Sequence, residues 1–356
     1  MSLILAINPG STSTKIAVYN DLEPILIKSI QHSATEISKF NKIADQYEFR
    51  KEAILATLAE NNFSAGSFDV IVGRGGILKP VKSGVYEGRE EMVKDLFEAA
   101  RGEHASNLGG LIARNLAKEA GNGCKAYIAD PVVVDELTPV ARIAGHPLFR
   151  RRSVFHALNQ KAISKLHATK VGNRYEDLNL IVAHLGGGVS VGAHCKGSVI
   201  DVNNALDGEG PFSPERSGSI ATMDIAELCY SGKYTLAQVK KMLVGEGGVV
   251  AHLGTNSFNE VEKRVESGDK DAQLISDAFA YNLAKEIGSM SAVLKGEVDA
   301  ILLTGGIANN KGLMKKIEEY VKFIAPVFIY PGEDEMGALA INGYNILNGK
   351  DTPKVY

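Results

Sequence analysis

Unbroken apolar runs closed by turn residues dominate the first part of the chain. Leu3 to Ile7 reads as a buried strand, Asn8-Pro9-Gly10-Ser11 as a turn, and Thr14 to Tyr19, which alternates apolar and polar, as the returning strand of a hairpin. Val70 to Val72 is a further short strand, closed by Gly73-Arg74-Gly75-Gly76. Helical spacing follows over Glu90–Ala100 and Ala105–Ala120, with Gly121 as the stop, and Ala126 to Ala129 is a strand that delivers Asp130 at its end. The theme then restarts. Leu178 to Ala183 is an apolar strand, His184 to Gly188 a turn, Val189 to Ala193 the return, and Ser198 to Asp201 a third strand after the Lys196-Gly197 turn. Ala300 to Leu303 is a buried strand that runs into Thr304-Gly305-Gly306-Ile307-Ala308-Asn309-Asn310. A helix over Gly312–Phe323, a strand over Val327–Tyr330 and a helix over Met336–Leu347 complete the pattern. Strand, glycine-rich turn and strand thus occur near residue 8 and again near residue 184, half a chain apart. That repetition predicts a duplicated α/β domain. The domain border is expected between Asp130 and Leu178, with a ligand in a cleft between the halves.

Composition narrows the function. A length of 356 residues fits about two domains, and 45% hydrophobic residues allow a full core. The formal net charge is −3 with no long basic run, so neither nucleic acid nor an anionic membrane is an expected partner. Cys124, Cys195 and Cys229 have no CxxC spacing, which points to a reducing compartment and away from a disulfide scaffold or zinc site. The start MSLILAINPG runs straight into a strand without a signal-peptide pattern, and no apolar run approaches a membrane span, so a cytoplasmic protein is expected.

The turns carry the candidate chemistry. Gly, Ser and Thr in a tight turn expose backbone N–H groups in a concave patch that suits phosphate oxygens, and the hydroxyls of Ser11, Thr12, Ser13 and Thr14 add donors. Gly186, Gly187 and Gly188 repeat the device. A strand ending in Thr304-Gly305-Gly306 before a helix leaves room for a flat ring against the backbone. Neither GxxxxGK[ST] nor GxGxxG is present, which disfavours the P-loop and Rossmann readings.

The segments LAINPGSTSTKIAVY, IVAHLGGGVSVGAH and AILLTGGIANN resemble the first phosphate, second phosphate and adenosine motifs of the acetate and sugar kinase, Hsp70 and actin superfamily. Within it the chain is similar to the acetokinase family. Gly73-Arg74-Gly75-Gly76, Ala129-Asp130-Pro131, Arg151-Arg152-Ser153-Val154-Phe155-His156, Glu215-Arg216-Ser217-Gly218 and Glu333-Asp334-Glu335 follow that family's order. GRGGILKP in place of an HRVVHGG-type stretch, HLGGG for HLGNG and PERSGS for GTRSGD resemble the butyrate-kinase branch.

The resemblance implies duplicated RNase H-like (actin-like ATPase) domains, residues 1–145 and 146–340, with a C-terminal helix at about 341–356 packing back on the first. It implies reversible, magnesium-dependent transfer from ATP to a short-chain carboxylate, giving an acyl phosphate and ADP. Butyrate is favoured, with isobutyrate, acetate or propionate as alternatives. A sugar kinase would need an Asp as base, and a non-catalytic ATP-binding module would lack the ERSG arginine. By the same resemblance Arg216 contacts the phosphoryl group and the carboxylate, His156 and His184 donate to the phosphates, and Asn8 contacts ATP or metal. The acetate-kinase arginine falls at Ile71, so Arg74 is expected to supply the guanidinium from a different position. Asp130 organises magnesium, together with Glu335 or its neighbour Asp334. Gly305, Gly306 and Asn309 line the adenosine site, with Asn309 or Asn310 bonding the ribose or base. The Gly247–Asn256 loop lies near the nucleotide without an assigned role. Relatives imply a homo-oligomer, at least a dimer.

Overall fold

The computed structural model describes residues 2–356, and the chain forms two compact units. One unit runs to Val134 and is completed by Asp334–Tyr356; the other is the continuous segment Asp135–Glu333.

The first unit is built on strands β1 (Leu3–Pro9), β2 (Ser13–Asn20), β3 (Glu23–Gln31), β4 (Val70–Arg74), β5 (Val85–Glu87) and β6 (Lys125–Ala129), in the order β3-β2-β1-β4-β6-β5. β1, β2 and β3 form an antiparallel meander, while β4 pairs parallel to β1 and β6 parallel to β4. The second unit holds β7 (Asn179–Leu185), β8 (Val189–Cys195), β9 (Ser198–Val202), β10 (Ala300–Gly305) and β11 (Val327–Pro331), in the order β11-β10-β7-β8-β9. Its first three strands are again an antiparallel meander, and β10 and β11 again add in parallel. The series β3-β2-β1-β4-β6 therefore has the topology of β9-β8-β7-β10-β11, and the fold is a duplicated RNase H-like α/β fold.

Burial explains the apolar runs. Ile4, Leu5, Ala6 and Ile7 of β1 are all fully buried, as are Leu180, Ile181, Val182, Ala183 and Leu185 of β7. Central strands covered on both faces show no alternation, because alternate side chains enter different cores. In the second unit Ile181, Ala183 and Leu185 pack with Phe279, Leu283 and Ile287 of the helix Lys270–Val293. Leu180 and Val182 pack instead beside Ala168, on the helix Ala157–Lys170. In the first unit Leu5 and Ile7 share a core with Ile54 and Leu58 of the helix Tyr47–Glu60 and Leu108 and Ile112 of the helix Asn107–Ala120. Ile71 lies in that core with no exposure.

Element ends differ from the sequence reading by a residue or two. The second early helix starts at Asn107, the late helices span Lys311–Val321 and Glu335–Leu347, and the first ends at Glu98 with Ala99 left-handed (φ 48°). No helix among the described residues is long and apolar enough to cross a membrane, and all three cysteines are free thiols.

Candidate active site

In the first unit the site grows from the register of β1 on β4. Ile7 lies beside Gly73, so the next residues, Asn8 and Arg74, fall side by side near the ends of their strands. The helix Glu335–Leu347 brings its first residue to the same place. Asn8 Nδ2 donates to Glu335 Oε2 (2.5 Å), and Arg74 Nη1 donates to both Asn8 Oδ1 and Glu335 Oε2 (3.2 Å each). Glu335 is only 8% exposed, so its carboxylate depends on these charge-assisted bonds. Ile71, where the acetate-kinase pattern has its arginine, is core, whereas Arg74 reaches the polar cluster. Asp334 is the helix cap, its Oδ1 accepting from the Gly337 N–H at 2.8 Å, and it does not enter the cluster.

Asp130 follows β6 in a left-handed conformation (φ 36°) and is 3% exposed. Its Oδ1 accepts from Ser83 Oγ (2.6 Å) and the Gly84 N–H (2.8 Å), so one carboxylate oxygen ties down the neighbouring loop. No group of three His, Cys, Asp or Glu side chains converges on a common point among the described residues.

The hairpin turn between β1 and β2 presents Ser11 and Thr12 to solvent and leaves Ser13 half-buried. Thr14 corrects the expectation that all four hydroxyls face a ligand. It is fully buried, and its Oγ1 bonds His32 Nε2 (2.8 Å) and accepts from Arg50 Nη1 (3.2 Å). The cause is strand alternation, which turns successive side chains to opposite faces. Arg50 itself, 1% exposed beneath the turn, was not singled out by any sequence signal.

In the second unit His184, next to last in β7, stacks on His156, with ring centroids 3.8 Å apart and an interplanar angle of 13°. Gln160 Nε2 donates to both the Ser190 carbonyl (3.0 Å) and Ser190 Oγ (2.8 Å). Ser190 Oγ also lies 2.8 Å from His156 Nδ1, so the serine fixes the plane of that ring. His184 lies between two acceptors, Asn159 Oδ1 (2.8 Å from Nδ1) and Glu333 Oε1 (3.2 Å from Nε2). Asn159, Gln160, Ser190 and Glu333 orient these rings. Ser190 and Glu333 stood in motifs visible in the sequence, whereas Asn159 and Gln160 did not.

The triple-glycine turn makes room for protein groups. A Cβ on Gly186 would sit 2.9 Å from Glu333 Oε1, and one on Gly188 would sit 1.8 Å from Arg216 Nη1. Gly187, between them, is exposed. Arg216 Nη1 donates to the Ala205 carbonyl (2.5 Å). Burial pulls its guanidinium below the ordinary range, an effect opposed by Glu215 and Asp207. Its loop is tied from behind: Ser217 N–H donates to the Leu243 carbonyl (3.0 Å), Gly245 N–H to Glu215 (2.7 Å) and Val249 N–H to Ser213 (3.1 Å). This gives the start of the otherwise unassigned Gly247–Asn256 loop a role as support for Arg216. Gly305 (φ 95°) touches the same hairpin, since a Cβ there would lie 2.3 Å from the Leu185 carbonyl, whereas Gly306 faces open space. Asn309 is exposed, while Asn310 spends its Oδ1 capping Leu313 N–H (2.9 Å).

The family model described as "Acetokinase family" matches residues 140–324, and the Clostridium acetobutylicum protein named "Butyrate kinase 1" is 54% identical over 356 residues, the whole of both chains. The chain belongs to the acetokinase family. A "Probable butyrate kinase" of Phocaeicola vulgatus is 52% identical over 353 residues, 99% of each chain. Membership makes the protein an enzyme, a kinase with ATP and ADP as its nucleotides. The fold agrees. An acetate kinase from Porphyromonas gingivalis superposes with a TM-score of 0.80 at 18% identity, covering 98% of this chain and all of the other. The acetokinase resemblance read from the motifs therefore stands.

Proposed function

We propose that the protein transfers the γ-phosphoryl group of ATP to butyrate, reversibly, giving butyryl phosphate and ADP. The observation that carries this reading is the 54% identity to a butyrate kinase over the whole of both chains. A carboxylate oxygen forms the new bond to phosphorus while the bond to the bridging oxygen of ADP breaks. A carboxylic acid with a pKa near ~4.3 is ionised at pH 7, so no general base is required. The barrier is electrostatic, an anion approaching a polyanion, and fixed positive charge and donors lower it.

The residues present fit those needs. Arg216 supplies a planar guanidinium for the transferring group and the carboxylate, and Arg74 a second one. The His156 and His184 rings are oriented donors, and the amides of the turns 10–13 and 186–188 face phosphate oxygens. Gly305, Gly306 and Asn309 accept the adenosine. Magnesium, when bound, supplies charge neutralisation at the phosphates, and Asp130, Glu335 and the Asn8 Oδ1 would hold it with water completing the shell.

Trapping the acyl phosphate with hydroxylamine, using ATP, magnesium and a panel of linear and branched C2 to C6 acids, tests the reading. Butyryl hydroxamate should form fastest. Absence of any hydroxamate would remove the kinase assignment, and faster turnover of isobutyrate or acetate would move the substrate.

A further inference from the structure

Arg50 is one of the largest fully enclosed side chains in the protein, and every acceptor around it is neutral. Its Nη1 donates to the carbonyls of Gly10 (2.7 Å) and Ser13 (3.0 Å) as well as to Thr14 Oγ1, and its Nη2 to the carbonyl of Ser11 (3.0 Å). Nη2 and Nε both donate to Gln46 Oε1 (2.8 and 3.0 Å). All five N–H groups of the fork are thereby used. Among the described residues no carboxylate lies within ion-pair distance, so this buried charge has no counter-ion in the protein. Unpaired buried charge is expensive, and burial pulls the guanidinium below its ordinary range.

The geometry gives that expense a purpose. In a trans peptide the C=O and the following N–H point in opposite directions. Drawing the carbonyls of Gly10 and Ser11 inward to Arg50 turns the N–H groups of Ser11 and Thr12 outward, and neither amide has a protein acceptor among the described residues. The Thr12 carbonyl is likewise drawn back by the His32 N–H (2.9 Å). The turn is thus a row of outward amides with a full positive charge behind it.

We infer that Arg50, held by Gln46, is a positioning residue of the phosphate site: it sets the direction of the turn's amides, and the nucleotide's phosphates are the counter-ion it lacks. The inference rests on the reading of the β1–β2 turn as a phosphate site. Arg50 touches neither phosphate nor acid, and it acts through the turn and through its field.

The decisive variant is Gln46→Glu, which keeps the size and the two acceptor bonds but gives Arg50 a carboxylate partner inside the protein. ATP affinity should fall about tenfold by calorimetry, while affinity for adenosine, which has no phosphate, stays at the wild-type value. The melting temperature should not fall. Arg50→Lys keeps the charge but loses the fork, and should weaken ATP with adenosine again unchanged. Gln46→Glu binding ATP as tightly as wild type would overturn the inference, and so would equal weakening of ATP and adenosine. If Gln46→Glu fails to fold, the same comparison is made on Arg50→Lys and carries the same two overturning outcomes. Failure of wild-type protein to form acyl hydroxamate would remove the acid-kinase reading without touching the ATP and adenosine comparison, so the two failures are distinguishable.

Discussion

A single missing methyl group decides where the Arg216 guanidinium lies. In Gly188→Ala the new Cβ would meet Arg216 Nη1 at 1.8 Å. That atom is the far end of a flexible side chain, so the guanidinium swings away and the fold survives. Displacing a transition-state group by an ångström costs about 10² in rate. Gly188→Ala should therefore lose about 10²-fold in kcat with a near-normal melting temperature, and steady-state kinetics beside thermal denaturation check it. Wild-type turnover would separate Arg216 from the chemistry. Gly305→Ala would instead meet the Leu185 carbonyl of a buried strand at 2.3 Å and disturb folding. Both glycines were legible as motif positions, but the reason for each was not, since Gly188 and Arg216 meet only through tertiary packing. Arg50 was illegible for another reason. Between Phe49 and Lys51 in a charged helix it reads as one more solvated side chain.

The elements most legible in the sequence were those whose burial is two-sided. β1, β7 and β10 show as apolar runs because both faces are covered. The edge strand β3 went unread, as its Ile25 and Ile27 are exposed and its core-facing Leu26 and Ile30 are only partly buried. The longest helix, Lys270–Val293, was also missed, because its buried stripe includes Ala272, Ser276 and Ala280 as well as Phe279, Leu283 and Ile287. Small residues let it lie close to the sheet but dilute the apolar period. At the helix Glu335–Leu347 the two candidate acids divide by position, one capping the helix and the other reaching Asn8 and Arg74. Asp334→Ala should lower stability by about 1 kcal/mol, seen as a reduced urea midpoint, with kcat little changed. A collapse of magnesium-dependent turnover at wild-type stability would make Asp334 the ligand instead.

For the molecule as a whole, acid is the expected weakness. His194 is fully buried, bonded to Tyr175 Oη (2.7 Å) and Gln160 Oε1 (2.9 Å). Burial, helped by the charge of Lys161, drives its pKa well below the ordinary 6.5. The unfolded chain therefore takes up a proton near pH 6.5 that the folded protein refuses, and stability, fully present above that pH, declines as the pH falls through it. The slope is about 1.4 kcal/mol per pH unit for one such site. His32 and His167 are shifted the same way. His194→Gln should flatten the fall between pH 6.5 and 5 in urea titrations, and an unchanged slope would assign it to other groups. The division of the chain has a consequence for biosynthesis. The continuous segment Asp135–Glu333 can close as it leaves the ribosome, whereas the strands made first have to wait for Asp334–Tyr356 to supply their last helix and the buried ring of Tyr356. The half translated first is thus finished last, and while it waits its apolar strands are the surface a chaperone would hold.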